Sequence, residues 1–120
     1  MRYRVMNTTR NTLLGTHVRV ANTFLSRLKG LTGAASLPMG GGLQIVPCTS
    51  VHTFFMKITI DVLFLDAELN VIDVNHALGP WKMSRVYFDA RSVLELPVGV
   101  AAGSQTVAGD SLSFTEVSTQ

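Results

Sequence analysis

The segment from Leu43 to Leu78 is rich in β-branched, aliphatic and aromatic residues, and it limits the folds available to the chain. Its apolar runs are short and are separated by turn residues such as Asp66–Asn70, a pattern typical of successive β-strands. Parallel α/β folds need crossover helices between strands, and the sequence shows few helical periods. The segment therefore predicts a core built mainly from strands.

The sequences on either side of this segment extend the same prediction. Eight segments are predicted as strands: Arg2–Met6, Leu13–Ala21, Leu43–Val46, Val51–Ile58, Ile60–Leu65, Val71–Ala77, Arg91–Leu96 and Ser111–Val117. One short helix follows the Asn22-Thr23 cap, carries Phe24, Leu28 and Leu31 on one face, and ends at Gly30 or Gly33. The glycines at 40–42 are interpreted as a flexible connector. We expect one mainly β domain over residues 1–120, a β-sandwich or small barrel of about eight short strands with one or two short helices.

The ten basic and eight acidic residues are unevenly distributed along the chain. Residues 1–57 contain seven basic residues and no acid, whereas residues 61–120 contain three basic residues and eight acids. Such asymmetry can indicate contact with nucleic acid or a membrane. The basic residues are nevertheless dispersed, which favours two halves whose charges interleave on one surface. We expect no nucleic-acid partner.

A single cysteine, Cys48, excludes an internal disulfide and is typical of a reducing compartment. The first fifteen residues lack the apolar core of a secretory signal. The longest apolar stretch, Val51–Leu65, is too short for a membrane span and carries His52, Lys57 and Asp61. We therefore expect a cytoplasmic protein without a membrane span.

The segment Pro47–Asp61 has the highest density of residues capable of chemistry. Cys48 and His52 are zinc-ligand types, but a zinc site needs three or four ligands, so no metal or other cofactor is expected. Cys48 could instead be a nucleophile activated by His52, with Asp61 or Glu95 orienting the imidazole. The alternative is a core strand pair, in which Cys48 is a small buried apolar residue and Lys57 extends to solvent.

Charged residues are only 15% of the chain, so charges inside apolar segments are informative. Burying one of these charged side chains without a partner would cost roughly several kcal/mol. We therefore expect the charged side chains either to lie close to one another or to contact water. The hypothesis is that Arg27, His52, Lys57, Asp61 and Glu95 border one concavity. Together with Cys48 and an apolar wall from Phe55 or Trp81, they form the candidate binding site. No catalytic residue is assigned.

Several motifs in the chain resemble those of a known family. They are Arg27-Leu28-Lys29-Gly30-Leu31, the block from Pro47 to Lys57, Ile60 to Asp66, Val93 to Gly99, and Gly109-Asp110. This set resembles the uncharacterised microbial family filed as domain of unknown function 192. Thr32 and Thr59 depart from the Met and Pro that the family often has there. The resemblance implies a compact, mainly β domain of sandwich type, and it implies no activity.

Three functions remain open from the sequence. The favoured one is a non-enzymatic binding or accessory module whose pocket accepts a small ligand or peptide. The second is a small hydrolase or transferase that uses Cys48, His52 and Asp61. The third is an assembly component that acts through a sheet edge or an apolar patch. The partner is expected to be an unidentified small ligand or protein.

Overall fold

A computed structural model describes residues 1–117 and arranges them as a seven-stranded sheet with two short helices. The strands are β1 (Arg2–Asn7), β2 (Thr12–Ala21), β3 (Gly41–Ile45), β4 (Ile60–Leu65), β5 (Val71–Leu78), β6 (Ser92–Pro97) and β7 (Leu112–Val117). The helices are α1 (Phe24–Lys29) and α2 (Val100–Gly103), and neither is long and apolar enough to cross a membrane. The prediction of a mainly β fold with one or two short helices is confirmed.

The sheet has the order β5-β4-β6-β3-β2-β1-β7, with β2 and β3 parallel and all other neighbours antiparallel. The parallel pair is joined by the long connection that contains α1. Although β5 and β7 are the two edges, the sheet curls so that their first residues meet. Asn70 bridges Ser111, and the Val71 amide donates to the Asp110 carbonyl at 2.7 Å.

Both faces of the sheet are covered, which explains the nearly continuous apolar sequences of β4 and β6. Ile60, Val62 and Phe64 pack in one core cluster, and the alternating Leu63 and Leu65 pack in the other. We call the first the α1 side, because Leu31 and the residues following α1 pack there, and the second the α2 side, because Val100 and Ala101 pack there. Strands buried on both faces lose the apolar–polar alternation of a half-exposed strand.

Two predicted elements differ from the structure. The segment Val51–Ile58 forms no strand, because Phe55 adopts a left-handed backbone with φ of 65° and the Met56 amide closes a turn onto the Thr53 carbonyl at 3.1 Å. The prediction of a flexible connector at residues 40–42 is also wrong in part, because β3 begins at Gly41 and includes Gly42. A β-carbon at Gly42 would lie 3.0 Å from the Glu95 carbonyl oxygen, so the close approach of β3 and β6 favours glycine.

Strand register places the single acid of β4 on the α2 side. Asp61 lies opposite Leu96, which belongs to the α2-side cluster. Its carboxylate is 1% exposed and accepts hydrogen bonds from the backbone amides of Ala77, Gly99 and Ala101 at 2.9–3.0 Å. Asp61 therefore ties β5 and the start of α2 to the sheet.

We expect Asp61→Ala to lower the free energy of unfolding by about 3 kcal/mol or more, because three buried amides lose their acceptor. Urea unfolding followed by circular dichroism measures this change. Asp89→Ala is the matched control, since Asp89 is exposed and should change stability little. Equal effects of the two substitutions would contradict the anchoring role of Asp61.

Candidate functional site

A cavity of about 300 Å³ opens between α1, the segment 45–56 and β6. Its walls are mostly apolar and are formed by Phe24, Leu28, Leu31, Ile45, Val51 and Met56. The side chains with polar or titratable groups are Arg27, Lys29, Thr32, Cys48, Ser50, His52 and Glu95. A mainly apolar concavity with a few polar groups is the usual form of a small-ligand site.

Local backbone features hold the two sides of this cavity. Thr23 caps α1 through a reciprocal bond pair with Ser26, and Gly30 ends the helix with φ of 48°. On the opposite side, the Cys48 amide donates to the Arg91 carbonyl at 3.1 Å, which fixes the segment beside the start of β6. The predicted cap and end of the helix are confirmed.

Glu95 lies at the base of the cavity, and strand register accounts for its position. It is opposite Leu43 and Val62, which both belong to the α1-side cluster. The residue is 2% exposed, and its Oε1 has no hydrogen-bond partner among the described residues. Burial raises the pKa of Glu95 to about 7. The carboxyl group is therefore near the midpoint of its titration at neutral pH.

Cys48 lies near Glu95 on the wall of the cavity and is half-buried. Its thiol donates to the Ser50 carbonyl at 2.9 Å. Burial raises the pKa of the Cys48 thiol, and the negative charge of Glu95 acts in the same direction, while Arg27 opposes them. The thiol is therefore protonated at neutral pH, so it is not an activated nucleophile.

Arg27 and His52 lie toward the solvent end of the cavity. The half-buried Arg27 guanidinium donates to the Pro47 carbonyl at 3.3 Å, across the space between α1 and the opposite wall. His52 is exposed, and its ring stacks on Phe54 with centroids 4.9 Å apart. Arg27, Cys48, His52 and Glu95 thus line one cavity, and they are four of the eight residues that the sequence analysis proposed for a binding site.

The same hypothesis is wrong about the position of the other four residues. Asp61 faces the α2 side, because adjacent positions of a strand point to opposite faces of a sheet. Lys57 is exposed and does not line the cavity. Phe55 and Trp81 contact each other outside it, with ring centroids 4.7 Å apart. The predicted group of Cys48, His52 and Asp61 is therefore not assembled.

Sequence reasoning also missed residues of the cavity. Phe24 and Leu28 were predicted only to share one face of α1; in the structure they form a wall of the cavity and are exposed. Met56 belongs to the recognised motif and packs in the α1-side core. The spacing of these apolar residues is the same as in a helix packed on a core, so the sequence carried no signal for this wall.

Other concavities and metal-ligand groups were compared with this site. Three further concavities have volumes of about 470, 390 and 330 Å³, and none of them is lined by a carboxylate. Within residues 1–117, no group of three or more His, Cys, Asp and Glu side chains is arranged to hold a metal ion. The cavity at Glu95 differs from these three concavities by its buried carboxyl group and not by its volume.

Known proteins resemble this chain in sequence and in fold. A UPF0127 protein of Pyrococcus horikoshii is 31% identical over 92% of this chain and 97% of its own length. A UPF0127 protein of Thermococcus sibiricus is 30% identical over 92% of this chain and 73% of its length. The crystal structure of a Novosphingobium aromaticivorans protein of unknown function has a similar fold, with a TM-score of 0.80 at 19% identity over 94% of this chain and 84% of that one.

The family model for domain of unknown function 192, described as "Uncharacterized ACR", matches residues 5–114. This match spans most of the chain and includes all the motifs on which the resemblance was based. The chain belongs to the family of domain of unknown function 192.

Proposed function

We propose that this domain binds a small organic ligand in the cavity at Glu95. The ligand has an apolar body, which contacts Leu28, Val51 and Met56, and a hydrogen-bond donor directed at the carboxyl group. The observation that carries this proposal is the buried Oε1 of Glu95, which has no partner within residues 1–117.

The buried Oε1 of Glu95 needs a hydrogen-bond donor that none of residues 1–117 supplies. Leaving a buried polar group without a hydrogen bond costs about 1–3 kcal/mol. A donor on the ligand would recover this cost, and its apolar body would bury further surface against the walls. The same arrangement would disfavour a purely apolar ligand, since that ligand would leave Glu95 unpaired.

The pKa of Glu95 determines which head groups fit. With a pKa of about 7, the carboxyl group is largely protonated below neutral pH and largely ionised above it. An ionised carboxylate attracts an ammonium group and repels a carboxylate, whereas a hydroxyl group can donate to either form. Amines and alcohols are therefore the favoured ligand classes.

The enzymatic alternative has less support. It required Cys48, His52 and Asp61 to act together, but Asp61 is fully engaged by backbone amides on the other face of the sheet. The protonated Cys48 thiol also lacks the activation that a nucleophile needs. Ligand binding requires only groups that already border the cavity.

Butylamine, 1-butanol and butyrate share an apolar chain, and we expect their affinities for the cavity to differ according to their head groups. Above neutral pH butylamine should bind most tightly and butyrate least. Butylamine affinity should rise about tenfold from about pH 6 to about pH 8, because the ionised fraction of Glu95 rises by that factor. NMR titration of the Cys48, Ser50 and Val51 amide signals measures these affinities.

Glu95→Gln should remove this pH dependence while retaining the shape of the side chain. Glu68→Gln is the matched control, since Glu68 is exposed in the β4–β5 turn and should leave binding unchanged. Tighter binding of butyrate than of butylamine above neutral pH, or an unchanged profile in Glu95→Gln, would contradict the proposal.

A second prediction concerns stability and needs no ligand. The pKa of Glu95 is higher in the folded chain than its ordinary value of 4.5, so between about pH 4.5 and about pH 7 the folded chain keeps a proton that the unfolded chain has lost. The protonated Glu95 therefore makes its whole contribution to the free energy of unfolding below about pH 4.5. As pH rises from there to about 7, the free energy of unfolding falls by about 3 kcal/mol.

Glu95→Gln carries no titrating group at this position, so its stability relative to the natural chain should increase across the same window. Urea unfolding at a series of pH values measures the difference between the two chains. Glu68→Gln again serves as the control and should follow the natural chain. Parallel curves for the natural chain and Glu95→Gln would show that Glu95 ionises normally in the fold.

A further inference from the structure

Helix α1 has no buried residue, although half of its residues are large and apolar. Phe24, Leu25 and Leu28 are 70%, 74% and 68% exposed. An amphipathic helix in a globular protein usually buries its apolar stripe against a core. The apolar side chains of α1 are therefore available to a partner outside the described chain.

A second exposed apolar group lies on the segments 49–56 and 81–88. These segments run side by side, since His52 bridges Met83 and the Thr53 and Tyr87 amides donate to the carbonyls of Lys82 and Thr49 at 2.8 Å. Their large exposed apolar residues are Phe55, Trp81, Met83, Val86 and Phe88. Phe88, at 89% exposure, is almost completely surrounded by solvent.

Helix α1 and the segment 49–56 flank the same cavity, since Phe24 and Leu28 line one side of it and His52 and Met56 line the other. We call the two exposed apolar groups together the docking face. It consists of Phe24, Leu25, Leu28, Phe55, Trp81, Met83, Val86 and Phe88. Eight large exposed apolar residues on segments that flank one cavity are typical of an interaction site, whereas single exposed apolar residues are ordinary.

The segments that carry the docking face contain mostly positive charges. The segments 24–29, 49–57 and 81–89 contain five basic residues, which are Arg27, Lys29, Lys57, Lys82 and Arg85. The same three segments contain one acid, Asp89. A partner that complements this face therefore has an apolar interior and negative charges at its surface.

We propose that the docking face binds peripherally to an anionic lipid surface. Phe and Trp side chains are suited to the boundary between headgroups and acyl chains, and aliphatic side chains are suited to the hydrocarbon just below it. Lys and Arg beside them gain attraction from anionic headgroups. The proposal does not depend on the ligand proposed for the cavity, although Phe24 and Leu28 belong both to the docking face and to the wall of the cavity.

Two other occupants match the face less well. A second copy related by two-fold symmetry would place the same five basic residues against one another, and like charges across an interface are unfavourable. A single-stranded nucleic acid would stack on Phe55 and Trp81, but Leu25, Leu28 and Val86 offer no ring for a base. Of these three occupants, a lipid surface is the one that uses the aliphatic, aromatic and basic residues together.

Co-sedimentation with vesicles tests this proposal. The natural chain should bind vesicles of equal parts phosphatidylglycerol and phosphatidylcholine at least about tenfold more strongly than pure phosphatidylcholine vesicles. Two double variants, Leu25→Ser with Phe88→Ser and Lys82→Glu with Arg85→Glu, should each weaken binding to the anionic vesicles by about tenfold or more. Neither variant changes a residue that lines the cavity, so butylamine binding should be retained.

Matched controls come from residues outside the face. Val107→Ser removes an exposed apolar residue that follows α2, and Arg4→Glu reverses an exposed charge in β1; both should bind vesicles like the natural chain. Thermal melting of every variant verifies that each is folded, and the two double variants change different residues, so a folding defect in one leaves the other as the test.

Several outcomes would overturn the proposal. They are failure of the natural chain to bind anionic vesicles, equal binding to both vesicle types, and binding that neither double variant weakens. A dimer in sedimentation velocity that Leu25→Ser with Phe88→Ser abolishes would identify a second copy as the occupant. Displacement from vesicles by single-stranded DNA at low concentration would identify a nucleic-acid surface instead.

Discussion

The alternation of side chains along two adjacent inner strands is the constraint on which the rest of this structure depends. Strands β4 and β6 are covered on both faces, and each carries one carboxylate in an otherwise apolar sequence. Register places these two acids on opposite faces. Asp61 is met by three backbone amides and becomes part of the scaffold, whereas Glu95 keeps an unpaired oxygen and becomes the chemical centre of the cavity.

The sequence predicted local structure well and the arrangement of side chains only in part. Strand positions, the Thr23 cap and the Gly30 end of α1 follow from residue pattern, because each depends on neighbours along the chain. The irregular path of Val51–Ile58 depends on the left-handed backbone at Phe55, which no residue type there requires. Whether Asp61 and Glu95 share a face depends on cross-strand register, which is a property of the fold rather than of either segment.

The exposure of α1 could not be predicted from its sequence for a related reason. Its spacing of Phe24, Leu28 and Leu31 is the ordinary pattern of a helix packed on a core. In the structure, the core beneath is already filled by Leu31, Val51 and Met56, so the helix itself remains outside. The basic residues of α1 belong to the basic half of the chain, whereas Lys82 and Arg85 belong to the acidic half, so the charge asymmetry along the sequence does not by itself locate the docking face.

The pairing of β1 with both β2 and β7 has a consequence for how the chain reaches its fold. The β1–β2 hairpin is local and can form early, but the other edge of β1 is paired only by the strand that follows all others in the described chain. During synthesis this edge therefore stays unpaired until almost the whole domain is available. Non-local pairing of this kind slows folding, and an open edge can recruit strands from other chains. The strand order therefore leaves this edge of β1 open the longest, and loss of β7 would expose it in the folded domain.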